Sequence, residues 1–505
     1  MRPPKQLIKC DTDKMRRSIP FFFYILFLCT FFFGLKCNKE DVAPTEHMAR
    51  KPLILPDYSD IILPSNIAPL NFRILEAGDK YRVTLFSLHG DSIGITSKSS
   101  SIRIPMQLWK TLLSQNSGNS LCLRVAVRQR GRWVRFETIE NHIAKEAIDP
   151  FLVYRILNPA FNLWKTMGIY QRNVESFEEV PVLRNEALNG CLNCHSFCRQ
   201  RPDTWSLHMR YTEGGMLVAK ADHVQNLDTR TDQNPFPAAY TAWHPSGETV
   251  AFSTDEVKQF FHAAGENRDV LDMQSDLYFL DPETHAISSA PQIARPDYME
   301  VLPTWSPDGR YLYFCSAPQI DSKQSFKGQF RKIYYELMRV PYDNAAGAFG
   351  VVETVLSLAG EHQSISHPKI SPDGRYLMYC VANYGYFTIY HPESNLSVMD
   401  LKTGRTALLD LNSEQSESYH SWSSNSRWVV FSSKRDDGIY TRLYLCYMDE
   451  NGRSGKPFVL PQEDPCFYDH FLWVYNVPEL TTASIPQSEK MLLEASKTVE
   501  TCHAK

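Results

Sequence analysis

Between residues 53 and 145 apolar and polar positions alternate with a period of two. Tyr81-Arg-Val83-Thr-Leu85-Phe-Ser-Leu88 and Leu121-Cys-Leu123-Arg-Val125-Ala-Val127 each turn one side toward a core, as half-buried strands do. The second run reverses at Gln129-Arg130-Gly131-Arg132 into Trp133-Val-Arg135-Phe136, which predicts a hairpin. Residues Met106–Ser114 break the alternation and predict a short helix. The expected result is a β-sandwich-like domain over 53–148, with immunoglobulin-like topology. Residues 149–190 have a mixed pattern. They predict a partly helical linker, which runs on to 202.

The second half repeats. Trp243-His-Pro-Ser-Gly-Glu-Thr-Val-Ala-Phe252, Trp305-Ser-Pro-Asp-Gly-Arg-Tyr-Leu-Tyr-Phe314, Ile370-Ser-Pro-Asp-Gly-Arg-Tyr-Leu-Met-Tyr379 and Trp422-Ser-Ser-Asn-Ser-Arg-Trp-Val-Val-Phe431 share one frame. A large apolar residue opens each, Val or Leu follows seven positions on, and an aromatic nine positions on. The turn between them is Pro-Asp-Gly in its full form, suited to its place by side-chain hydrogen bonding and by a left-handed glycine. Further strands and turns follow, such as Asp276–Asp281, Leu396–Asp400 and Leu443–Asp449. Strand, turn, strand, gap, strand is one blade of a β-propeller. The W-S-P-D-G-R-x-L-x-F unit resembles the blade of TolB-type, WD-like propellers. The fold class is therefore mainly β: the sandwich-like domain, then a TolB-like propeller over 203–480. Six blades are expected, the first at 203–230 from Trp205, with 455–480 closing the ring. Residues 481–505 form a C-terminal tail.

The N-terminus has a different pattern. Arg2, Lys5, Lys9, Lys14, Arg16 and Arg17 precede the nearly unbroken apolar run Ile19–Leu35, the order of a signal peptide or short membrane anchor over 1–37. Cys37 follows at once. This looks like a bacterial lipoprotein signal in which Cys37 is lipidated, although Lys36 stands where a small residue is usual. Asn38-Lys39-Glu40-Asp41 resembles the charged tetrad that sends Bacteroidetes lipoproteins to the cell surface. Lipidation, an uncleaved anchor and plain secretion all put the body outside the cytoplasm, at the outer membrane, cell surface or periplasm. Residues 38–52 are polar and form a tether.

Composition narrows the function classes. The 505 residues carry a net charge of -4 with no basic stripe in the body, so nucleic acid is not an expected partner. Most of the 12 cysteines stand singly in apolar runs (Cys122, Cys315, Cys380, Cys446), as small buried hydrophobes do. Cys191, Cys194 and Cys198 are the exception.

Cys191-Leu-Asn-Cys194-His195 has the spacing of a c-type haem attachment site. Two thiols add to the two haem vinyl groups, and the next residue is held under the iron as a ligand. At this cysteine and histidine content the motif should arise by chance only about 0.01 times per chain, so it carries information. Rivals remain open: zinc held by Cys191, Cys194, His195 and Cys198, a thioredoxin-like pair, or a structural disulfide. For the second axial position His208 is preferred, with Met209 and Met216 next. Alternation places Trp205, Leu207, Met209 and Tyr211 on one strand face, where Met209 also makes an ordinary core residue. His208 and Arg210 lie on the other face, where Arg210 is placed to pair with a haem propionate. A five-coordinate iron is a further alternative. A soluble cytochrome domain wraps its haem in helices; this motif stands in a short segment between β-domains, so the linker and first blade would have to bury the haem.

Aligning the blades puts Tyr240, Leu302, His367 and Tyr419 at equivalent positions, with His420 matching Pro303 and Pro368. Such positions form a ring round the propeller axis, either as strand-start packing or as a ligand or partner site at the channel mouth.

The overall order resembles a family of exported Bacteroidetes proteins with a sandwich-like region, a single C-x-x-C-H and a TolB-like propeller. The matching parts are Ile67–Phe72, Gly190–Phe197, His208-Met-Arg210, the blades and Leu460–Pro465. The resemblance implies a haem-bearing lipoprotein and no assigned activity. Three functions are open. One is electron transfer or haem-based redox chemistry by a covalent haem c, with a redox or envelope partner docked on the propeller. Another is a non-enzymatic binding scaffold whose cysteine cluster is structural or holds zinc. The third is a haem enzyme with an open iron and a substrate pocket on the axis.

Overall fold

The computed structural model describes residues 46–159, 165–188, 190–210, 215–259, 269–319 and 329–505. The export segment and Cys37 lie outside them, as does Tyr211.

Among the described residues, six sheets built on four antiparallel strands form the blades of a propeller. From the axis outward, blade 1 is Val474–Thr481, Phe151–Leu157, Gly168–Asn173 and Glu179–Arg184. Blade 2 runs Cys191–Phe197, Thr204–Arg210, Gly215–Lys220 and His223–Asp228. The inner strands of blades 3 to 6 are Ala238–Trp243, Tyr298–Trp305, Ser364–Ile370 and Glu417–Trp422. The last strand of the ring thus completes the sheet begun by residue 151, which closes the ring by hydrogen bonds between the two ends of the propeller.

This corrects the expected boundaries. Residues 149–202 are not a partly helical linker: they supply three strands of blade 1 and the inner strand of blade 2, so the propeller starts at 151 and not at 203. The pairing partner of Phe151–Leu157 lies more than 300 residues away, and no local pattern can announce it. Trp205 begins the second strand of its blade, not the first. Residues 481–505 are more than a tail: helix Glu489–Ser496 buries Leu492, and the strands Val499–Thr501 and His503–Ala504 cover the outer edges of blades 2 and 3. Covering an edge removes a template for unwanted pairing.

The turn chemistry behaves as the repeat predicts. In blade 4 the Ser306 hydroxyl and the Arg310 N–H both donate to Asp308 (2.6 and 3.1 Å), and Gly309 takes φ of 72°. A Cβ at Gly309 would come within 2.4 Å of His244 Nε2, so glycine is needed for space as well as for φ. Blade 5 repeats the pattern with Ser371, Asp373 and Gly374.

In the N-terminal domain a seven-stranded sheet holds most of the strands, with a three-stranded sheet beside it. Helix Met106–Gln115 adds Trp109, Leu112 and Leu113 to the core. Most strands therefore join one sheet instead of dividing between two, and the immunoglobulin-like order does not form. The tether region contributes Glu46–His47, paired with Val134 and Arg135. One hydrophobic cluster runs from this domain into blades 1, 5 and 6. Polar contacts reinforce the junction: Ser424 donates from its N–H and hydroxyl to Asp149 (2.7 and 2.6 Å), and Lys456 pairs with Asp57 (2.6 Å). Trp428 of blade 6 is fully buried there, with its indole N–H donating to the Glu146 carbonyl at 3.0 Å. Trp428→Ala should destabilise the chain by about 3–5 kcal/mol, through the cavity and the orphaned carbonyl. Urea unfolding checks this, and a loss under about 1 kcal/mol would contradict the packing described.

Candidate functional site

Each inner strand breaks its ladder at one place, where two or one residues bulge toward the axis: between Leu192 and His195, Ala239 and Ala242, Val301 and Thr304, Ser366 and Lys369, Ser418 and His420, and in blade 1 opposite Val153 and Arg155. Tyr240, Leu302, His367, Tyr419 and Val477 stand at equivalent places with φ of 46°, 56°, 51°, 27° and 46°. A left-handed non-glycine residue is strained, so its recurrence in the inner strands marks a constraint at the axis. Asn193 occupies the same place in blade 2. The next positions round the ring are Cys194, Thr241, Pro303, Pro368, His420 and Pro478; the following ones include His195, Lys369 and Glu479.

These residues line an axial chamber of about 60 Å³, with Cys194, His195, Tyr240, His367, Lys369, Tyr419, His420 and Glu479 in its wall. The residues expected to form a ring, Tyr240, His367, Tyr419 and His420, thus line one cavity together with Cys194 and His195. The His367 and Tyr419 rings meet edge to face, 4.7 Å between centres.

The chamber is rich in buried polar atoms that lack partners. Among the described residues, Nε2 of His367 and the Tyr419 hydroxyl have no hydrogen bond, and neither ring nitrogen of His195 makes a well-aligned one. Burial, then the charges of Arg155 and Lys369, push His195 down to about 3, against a weaker pull from the Val153 backbone. Burial drives His367 and His420 down to about 3 as well. All three rings are neutral at neutral pH. Glu479 accepts from the Phe197 N–H at 3.2 Å, and burial lifts its carboxyl to about 7.

Beside Tyr240 lies a second buried cluster. Tyr386, edge-on to Tyr240, donates to Asp272 at 2.6 Å, Tyr335 donates to the same carboxylate at 3.0 Å, and Ser275 donates to Asp255 at 2.7 Å. Burial lifts Asp255 to about 6 and Asp272 well above the usual carboxylate range, the latter helped by the Asp255 charge.

The remaining residues singled out in the sequence fall as follows. Cys191 and Cys194 are free thiols, both pushed up by burial, which leaves them protonated and removes the lowered pKa of a thioredoxin-like pair. Cys198 faces away into the core between blades 2 and 3, 3.6 Å from the His244 carbonyl. Among the described residues no three His, Cys, Asp or Glu side chains converge as a metal site, so the four-ligand zinc cluster is not assembled. Met209 and Met216 belong to hydrophobic clusters on either side of blade 2. His208 is buried with Nε2 unpartnered, and burial pushes its pKa well down. Its strand register is decisive. His195 pairs with Leu207 and so shares the face of Leu207 and Met209, toward blade 1, while His208 projects from the opposite face. The structure does not bring His195 and His208 together, because neighbouring residues on a strand point to opposite sides.

For a covalent haem the donor set is present in two free thiols and a neutral histidine. Arg155 and Arg210 bring positive charge to both thiols. The chamber itself has room for a few water molecules. The fit therefore lies in the donors and not in the volume.

Sequence reasoning missed Lys369 and Glu479, and also Arg155, Asp255 and Asp272. A signal existed for the first two. Leu302-Pro303, His367-Pro368 and Val477-Pro478 recur at the bulge, and the residue after each proline is the next to reach the axis.

No family model matches the chain, and no curated protein matches it by sequence. Several solved structures are similar in outline. Kuenenia stuttgartiensis hydrazine synthase aligns over 52% of this chain and 64% of that chain at 12% identity, with a TM-score of 0.31. The Dos1 propeller aligns over 46% and 64% at 11% identity, TM-score 0.27. Galerina marginata prolyl oligopeptidase B aligns over 67% and 42% at 8% identity, TM-score 0.34. This chain thus spans less than two thirds of the length of each. Likenesses this distant do not speak to chemistry.

Proposed function

We propose that this chain is an exported, membrane-anchored propeller protein with its functional centre on the axis, and that Cys191 and Cys194 carry a covalent haem c with His195 as an iron ligand. The observation that carries the reading is the position of the C-x-x-C-H motif. It stands on an axis-lining strand, so Cys194 and His195 open on the chamber of Tyr240, His367 and Tyr419, where buried polar atoms lack partners. A bound haem would supply one-electron redox chemistry. The protein's part is to keep His195 neutral, to place Arg155 and Arg210 as counter-charges for propionates, and to present the propeller face to a redox partner. His208 is not the second axial ligand in this reading, since it leaves the strand on the other side.

A second reading has its own observation. His195 sits in an extended strand packed on Phe197, ring centres 5.7 Å apart, and the chamber is small. That favours a binding scaffold in which the cysteines merely pack. Expression with a haem c maturation system separates the two. A Soret band that stays with the polypeptide after denaturation is expected, and Cys191→Ala with Cys194→Ala should reduce it more than tenfold. A colourless protein would leave the scaffold reading standing alone.

A further inference from the structure

Toward the end of the inner strands away from Cys191, the turns between first and second strands surround a vestibule of about 250 Å³ that adjoins the axial chamber and shares Lys369 and Glu479 with it. That is just below the roughly 300–1,000 Å³ of drug-sized ligand pockets, which suits a small ligand. Its wall combines apolar edges of Phe197, Trp243, Trp305 and Trp422 with Ser196, Gln200, Arg199, Lys369 and Glu479.

The charge balance of this wall is uneven. Among the described residues the side chains of Arg199 and Lys369 make no hydrogen bond or ion pair, whereas Ser306, on the rim, donates to Asp308 and Ser424 to Asp149. Lys369 is half-buried; its charge draws the Glu479 carboxyl down, but burial still holds that group at about 7, so the ammonium is only partly balanced at neutral pH. The single carboxylate in the wall, Glu479, already accepts from the Phe197 N–H. Arg199 and Gln200 are both held at positive φ, 52° and 57°, and the Gln200 carbonyl accepts from the Thr482 N–H at 3.0 Å. The chain after the closing strand therefore fixes a strained turn, and that turn carries an unpaired guanidinium at the mouth of the cavity.

We infer that this vestibule binds a small organic carboxylate, its charge held between Arg199 and Lys369 and its apolar body against the tryptophan edges. A guanidinium fork matches a carboxylate. Glu479, at the inner end, disfavours a second negative charge, which selects a monoanion over phosphate. The site uses neither Cys191 nor Cys194; it adjoins the axial chamber, sharing Lys369 and Glu479 with it, but does not rest on the haem reading.

Calorimetric titration of the full chain with benzoate tests it, with benzamide and inorganic phosphate as comparisons. Saturable benzoate binding is expected, weakened about tenfold or more by Arg199→Gln and by Lys369→Met. Arg199 is exposed, so its replacement should leave the melting temperature unchanged. Benzamide and phosphate should fail to compete. The double variant Cys191→Ala, Cys194→Ala should bind benzoate as the parent does. Absence of saturable heat, equal binding by Arg199→Gln, competition by phosphate as strong as benzoate's, or loss of binding in the cysteine variant would each overturn the inference.

Discussion

Stability should stay nearly flat between about pH 4.5 and 6.5 and fall steeply below. His367 and His420 are buried neutral, with folded values of about 3 against 6.5 for a free ring. Between those values the unfolded chain binds more protons, so each drop in pH costs stability, about 1.4 kcal/mol per unit per ring. Glu300 and Glu479 act in the opposite sense. Burial lifts both to about 7 from an ordinary 4.5, so over that interval the folded chain holds the proton and gains stability as pH falls. Two losses meet two gains down to about 4.5. Below that the carboxyls are protonated in both states and the rings titrate alone. From 4.5 to 3 the two rings cost on the order of 4 kcal/mol, a large part of a domain's usual 5–15 kcal/mol. The other buried groups divide the same way: His195 and His208 shift down, Asp255 and Asp272 up. On the alkaline side His391 is raised to about 9 by Asp269 and Glu393, against its burial. Its contribution is complete below 6.5 and disappears as pH rises through 9. Urea midpoints measured from pH 3 to 10 check the profile. A steady decline from pH 6.5 to 4.5, or ring titrations of His367 and His420 near 6.5, would contradict it.

A chain ending at Trp473 should fail to fold as a closed ring. Strand Val474–Thr481 is the inner strand of blade 1, paired along Phe151–Leu157. It buries Tyr475 and Leu480, each 1% exposed, and Tyr475 meets Tyr154 edge to face at 5.0 Å. Burying one such side chain is worth about 1.5–3 kcal/mol. With the ladder lost as well, the deficit should consume most of the stability margin. The bare edge of Phe151–Leu157 would then invite aggregation. A chain ending at Ser484 keeps the closing strand and loses helix Glu489–Ser496 with its Arg184–Glu489 pair. It should melt cooperatively at a lower temperature than the full chain. Thermal melts and limited proteolysis distinguish the three. Cooperative melting of the Trp473-terminated chain within a few degrees of the full chain would show that closure matters little.

Blades 3 to 6 were legible because each is one contiguous unit with its own turn. The hydroxyl–aspartate–glycine turn chemistry is local, so Trp305-Ser-Pro-Asp-Gly carries its own instruction. The ring of Tyr240, His367, Tyr419 and His420 followed from the same frame, since equal offsets in equal blades reach the same height on the axis. The start of blade 2 is not legible because its first turn, Cys198-Arg199-Gln200-Arg201, lacks Pro-Asp-Gly and takes left-handed residues with side chains instead.

What the sequence determined alone is therefore whatever hydrogen-bonds or alternates within some forty residues: the strands of the N-terminal domain, four blades, the axial ring and the C-x-x-C-H spacing. The tertiary structure alone decided that blade 1 joins residues 151–184 to 474–481, that the motif lies in an inner strand, that His195 and His208 face apart, and that Lys369 and Glu479 share the axis with Cys194. Each of these depends on pairing between distant segments. Register across such a pair, not the residues of either strand, sets which side chains meet.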